Sequence, residues 1–137
     1  MSIERLLWEE DATGLAARVK AGDVAPAELV EAAISRAERL APQINPIAER
    51  LYERARAKAV TVDRAAPFAG VPFAMKDIGA VVKGVPLHSG SRIPPFVADW
   101  SSTVFERAEA AGLVTIATTT TPEWGLRLVT ETARFGI

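Results

Sequence analysis

The chain has 137 residues, of which 49% are hydrophobic and 24% charged, with a formal net charge of −1 and no cysteine. That composition supplies a core for one domain. It excludes disulfides, thiolate zinc sites and cysteine nucleophiles, and it offers no basic field for nucleic acid or an anionic membrane. The opening MSIERLLWEEDATG carries acidic residues where a secretion signal needs basic and apolar ones, and no apolar run reaches the ~20 residues that span a bilayer. A cytoplasmic chain with no membrane or nucleic-acid partner is expected.

Helical periodicity governs about residues 1–60. Asp11 suits an N-cap, Ala12, Leu15, Ala16 and Val19 share a face, and Gly22 suits the stop. Pro26 opens a second helix, with Leu29, Val30, Ala33, Ile34, Ala37 and Leu40 at helical spacing and Pro42 as its end. Asn45-Pro46 is read as the start of a third. There Ile47, Leu51 and Ala55 recur by four, with Glu49, Arg50, Glu53, Arg54 and Lys58 on a solvated outer face.

From Val60 onward glycine and proline become frequent, and strand-like runs appear at Val71–Met75 and Ala80–Val82. Ser101-Ser102-Thr103 opens another helix, Thr103 and Glu106 have capping-box spacing, and Gly112 closes it. Leu113–Ala117 reads as a strand buried on both faces, and Pro122-Glu123-Trp124 as a further helical turn. The expected fold class is α/β, with a helical N-terminal layer packed on a small, incomplete mixed or parallel sheet over about residues 61–137, the whole forming part of a single domain. So small a sheet has exposed edges. Its missing neighbours are expected from further polypeptide or from another copy of the chain, which makes a homo-oligomer through the open edge one possible assembly.

The chemistry concentrates in Gly70–Ser91. An apolar run delivers Lys76 to its end, followed at once by Asp77 and a glycine-punctuated loop. Drawing an ammonium out of water costs free energy, so this lysine invites a functional explanation as a general base activated by burial, although spacing alone favours a strand-end lysine reaching water or pairing with Asp77. Ser89 and Ser91 are the tempting nucleophiles, but neither lies in a strand-to-helix elbow. His88, the only histidine, cannot build a zinc site without cysteines and is read as exposed or locally hydrogen-bonded. No glycine-rich phosphate loop is present.

The stretches GVPFAMKD (Gly70–Asp77) and GVPLHSGSR (Gly84–Arg92) resemble the amidase signature family of serine hydrolases, as does TTTTPEWGLRLVTETARFG (Thr118–Gly136). In that last stretch Thr118 stands where a lysine is common, Thr120 where asparagine is common and Trp124 where phenylalanine is usual. The resemblance implies that Lys76 is the base of a Ser–cis-Ser–Lys triad, that Ser89 and Ser91 belong to a structural loop, and that both working serines lie in later glycine- and serine-rich segments. No such segment occurs in this sequence. The 137-residue chain alone is therefore expected to be inactive. The resemblance further implies a small-molecule amide substrate and no metal or organic cofactor. It places Trp124 and Gly125 beside the acyl pocket, although a core aromatic is the simpler reading of Trp124. Either an amidase or the amidase-type subunit of a tRNA-dependent amidotransferase fits this pattern. A truncated interaction module without catalysis is the reading from a different class.

Overall fold

The computed structural model describes residues 2–136. Helices α1 (Ile3–Glu9), α2 (Ala12–Ala21) and α3 (Pro26–Ile44) lead into strand β1 (Ile47–Arg50) and helix α4 (Tyr52–Ala59). Strand β2 (Pro72–Lys76), helix α5 (Thr103–Ala110), strand β3 (Val114–Thr119) and a 3-10 turn at Glu123–Gly125 complete the order. The fold is α/β, and among the described residues the sheet has three strands in the order β1-β3-β2. β3 pairs antiparallel with β1 and parallel with β2, so the sheet is mixed.

Side-chain chemistry accounts for most of these elements. Asp11 accepts the Gly14 N–H at 2.8 Å and Gly22 ends α2 in the left-handed region at φ 81°, as the sequence indicates. β3 is the apolar run read from the sequence; Val114, Thr115, Ile116 and Ala117 are all buried at the centre of the sheet. Val30, Ile34, Ala55 and Ala59 cover Val114, Ile116 and Ala117, joining α3 and α4 to the sheet. Met75, Ala80, Val82 and Phe105 form a separate cluster between β2, the loop after it and α5. A third cluster unites Leu6, Leu15, Val19 and Leu29 with Ala69 and Val71.

Five features differ from expectation. The segment at Ile47 is a strand: Asn45 turns the chain in the left-handed region at φ 41°, and the free edge of β3 offers ladder partners to Ile47, Glu49 and Arg50. The four-residue period survives only in α4, where Ala55 is buried. Pro42 does not end α3, which runs to Ile44; the proline forgoes only its own i→i−4 bond, and the Asn45 N–H beyond it still donates to the Ala41 carbonyl at 2.8 Å. Ala80–Val82 is a loop whose backbone at Val81 is held by the Ser102 hydroxyl, accepting from its N–H at 3.1 Å and donating to its C=O at 3.2 Å. Ser102 itself is the N-cap of α5, so Thr103 is the first helical residue and the Thr103–Glu106 box is one residue out of register. Helix α1 has no counterpart in the sequence reading; Ser2 caps it by accepting the Arg5 N–H at 3.3 Å.

Candidate active site

Lys76 is the last residue of β2, opposite Thr119 of β3, on a strand with no second neighbour among the described residues. Its side chain is exposed, so the burial expected for an activated lysine is not present within this chain. The pleat sends the next residue the other way: Asp77 is fully buried. Its N–H donates to the Thr119 carbonyl at 3.0 Å, one step beyond the ladder. Its carboxylate turns inward and accepts the His88 N–H at 2.9 Å, so it does not serve as the partner of Lys76. Burial pushes the Asp77 carboxyl above its ordinary value, and the N–H groups of His88 and Gly90 partly offset the shift.

Asp77 thereby organises the loop that returns to it. The Ser89 N–H donates to the Asp77 carbonyl at 3.1 Å, and Ser89 and Gly90 both turn in the left-handed region, at φ 51° and 69°. Ser91 is buried, its hydroxyl donates to Glu123 at 2.8 Å and it accepts the Ile93 N–H at 3.3 Å. The Ser89 carbonyl in turn accepts the Trp124 N–H at 2.8 Å. Loop 88–91 is thus bound on one side to the end of β2 and on the other to the turn at Glu123–Gly125. These contacts give Ser89 and Ser91 structural duties, which agrees with the reading of this loop from the sequence.

Trp124 is not buried within this chain. It is 50% exposed and sits at φ 53°, where a non-glycine residue carries about 1–2 kcal/mol of backbone strain, and Gly125 follows at φ 69°. The strained turn holds the indole at the surface, with its backbone anchored to loop 88–91 and Gly125 facing Ile78.

His88 is the residue that the sequence reading misplaced. Its side chain is neither exposed nor locally bonded: the residue is 5% exposed, its Nε2 lies 2.7 Å from Glu49 Oε1 on β1, and its ring makes a T-shaped contact with Phe135 at 5.6 Å. Asp77, Glu49 and Glu123 were likewise not singled out as parts of one network. The partners of Glu49 and Glu123, His88 and Ser91, lie 39 and 32 positions away, and spacing carries no signal of that kind. Among the described residues no group of three His, Cys, Asp or Glu side chains could hold a metal ion, and no helix is long and apolar enough to cross a membrane. A groove of about 430 Å³ lies beside β2, lined by Leu7, Leu15, Leu40, Phe73 and Ile116, with Arg36 as its one charged lining residue. It lacks the convergent polar groups that reaction chemistry needs, and it is better suited to packing.

The Amidase family profile matches residues 28–137. The 6-aminohexanoate-cyclic-dimer hydrolase of Paenarthrobacter ureafaciens is 35% identical over 133 residues, covering 95% of this chain and 26% of that protein. A glutamyl-tRNA(Gln) amidotransferase subunit of Synechococcus sp. (strain WH7803) is 38% identical over 123 residues, covering 84% of this chain and 25% of that protein. Among solved structures, 6-aminohexanoate cyclic dimer hydrolase complexed with substrate matches with a TM-score of 0.85 at 32% identity, over 99% of this chain and 27% of that one. A bacterial aryl acylamidase of the amidase signature enzymes matches with a TM-score of 0.81 at 27% identity, over 93% of this chain and 28% of that one. The chain belongs to the amidase signature family. It spans about a quarter of the length of the curated relatives it matches.

Proposed function

We propose that this chain contributes the lysine to an amide hydrolase acting through a Ser–cis-Ser–Lys triad. Neutral Lys76 Nζ takes a proton from the middle serine, which takes one from the nucleophilic serine as the latter attacks the amide carbonyl. Backbone N–H groups hold the oxyanion, and the proton returns to the departing ammonia or amine as the acyl-enzyme forms. Water then releases the acid by the same proton route. The steps need proton transfer alone, so no metal or organic cofactor enters the proposal.

The observation that carries this reading is the placement of Lys76. It projects from the end of an edge strand, beside a loop whose own serine, Ser91, is already committed to Glu123. The hydroxyls that Lys76 is to deprotonate therefore come from polypeptide packed against the open side of β2. Covering by that polypeptide would supply the desolvation that lets a lysine act as a base near neutral pH. Trp124 and Gly125 are assigned to the wall of the acyl pocket, on the strength of their fixed, exposed turn. The test is an assay of the 137 residues against aryl and aliphatic amides. No turnover is expected; turnover that disappears in Lys76→Ala would overturn the claim that the serines lie elsewhere.

The 38% identity to the amidotransferase protein supports a second reading, in which the amide is glutamine and the released ammonia is passed on within a complex. The two readings divide on substrate. Ammonia release from glutamine that rises when a partner protein and charged tRNA are added would favour the second.

A further inference from the structure

His88 has no part in the proton relay, yet a polar ring is buried with it, and burying a polar group costs free energy unless it is hydrogen-bonded. The bond it makes connects distant parts of the fold. Its Nε2 meets Glu49 Oε1 at 2.7 Å, although β1 and the loop after β2 lie on opposite sides of β3. Its backbone N–H meets Asp77 Oδ1 at 2.9 Å, one peptide bond from Lys76.

Glu49 is itself aimed at this contact. The β1–β3 register shifts between Ile47 and Glu49, and a bulge of this kind turns a side chain out of the regular pleat. The Glu49 N–H then donates to Thr118 Oγ1 at 3.1 Å, which fixes the residue at the shifted position. With Glu49 accepting at Nε2, the imidazole carries its proton there, and Nδ1 has no partner among the described residues. The ring makes a T-shaped contact with Phe135, whose carbonyl is held by the Asn45 side chain.

The geometry points to His88 as a positioning residue: the Glu49–His88 hydrogen bond is a latch that ties β1 to the end of β2 across β3, and through Asp77 it fixes Lys76 against loop 88–91. The latch matters for catalysis only if Lys76 has the role assigned to it above, but the latch itself can be measured without turnover.

Amide hydrogen exchange on the chain and four variants is the test. His88→Leu and Glu49→Ala remove the bond, whereas Glu49→Gln and His88→Gln keep a donor and an acceptor in place. In the first two, protection of the Ser89 N–H and the Asp77 N–H is expected to fall about tenfold, the loss for one hydrogen bond to a charged group at the lower end of its range. Protection at Val114, in the centre of β3, is expected to stay at the wild-type level. Glu49→Gln is expected to hold Ser89 within about threefold of wild type, since it keeps a neutral bond. With the lysines carrying ¹³C-methyl labels, the Lys76 resonance is expected to shift in Glu49→Ala while those of Lys20, Lys58 and Lys83 stay in place. Three outcomes would overturn the latch: unchanged Ser89 protection in Glu49→Ala, equal loss at Ser89 and Val114, or Glu49→Gln failing as badly as Glu49→Ala. None of these readouts depends on hydrolysis, so a failed assignment of Lys76 and a failed latch give different results.

Discussion

Gly90→Ala measures how tightly the serine loop is pressed onto the turn at Glu123–Gly125. Gly90 sits at φ 69°, and a Cβ built there would lie 2.4 Å from the Thr121 carbonyl oxygen and 3.0 Å from the Glu123 nitrogen. Both neighbours are backbone, so neither can swing aside as a flexible side-chain end would. The left-handed conformation costs an alanine about 1–2 kcal/mol. Forcing a methyl into a filled site adds about 1–3 kcal/mol. The variant is thus expected to lose about 2–5 kcal/mol, a large part of the ~5–15 kcal/mol that stabilises a typical fold. Gly84→Ala is the control: Gly84 has nearly the same backbone angle, φ 74°, with nothing within 4 Å of the added carbon. It should lose only the conformational part, and the reduced freedom of the unfolded chain acts alike in both variants. Urea titrations of the two proteins, compared at equal slope, isolate the contact. Equal losses in Gly90→Ala and Gly84→Ala would show that the loop and the turn are not in contact, and the site as described would fall.

Other expectations follow from single contacts. Ser102→Ala should cost about 1–2 kcal/mol by freeing the Val81 backbone, whereas exposed Thr103→Ala should change the melting point little, within ~0.5 kcal/mol; the reverse order would restore the capping box read from the sequence. Lys76→Ala should leave stability within ~0.5 kcal/mol, because the side chain is exposed, and a larger loss in urea titration would mean that Lys76 has a packing role. Asp77→Asn should change the dependence of stability on pH. The folded-state pKa of Asp77 lies above its ordinary 3.8, so the native state holds this proton more tightly than the unfolded chain does. Its contribution is fully present below 3.8 and is lost as pH rises through the raised value, so the wild type should lose ground against Asp77→Asn as pH climbs from acid to neutral. A gap that stays constant or widens the other way in paired melts would contradict the buried carboxyl.

The parts of this structure that the sequence reveals are those set by local chemistry. Asp11 and Gly22 bracket α2 because a cap and a left-handed stop act within one turn, and the run at Val114–Ala117 is buried because no polar residue but Thr115 interrupts it. The lysine at the end of β2 is legible for the same reason, since apolar residues lead up to it and glycine follows soon after. What stayed hidden depends on contacts between remote residues. Ile47–Arg50 carries a helical period yet pairs with β3, because an open strand edge offers ladder bonds that the segment's own periodicity does not reveal. The sequence neighbours of His88 are loop-forming residues, and nothing local foretells a glutamate 39 positions earlier. The exposure of Lys76 belongs to the same class, since how far a strand-end side chain is covered is set by remote contacts rather than by its sequence neighbours.

The most direct measurement of the central claim is amide hydrolysis by a polypeptide in which this chain is followed by the serine- and glycine-rich remainder of an amidase signature enzyme. Lys76→Ala in that polypeptide should lower kcat/KM by about 10²–10⁴-fold, the usual loss when a general base is removed, with the fold retained. Activity within a few-fold of the unsubstituted enzyme would show that Lys76 is not the base.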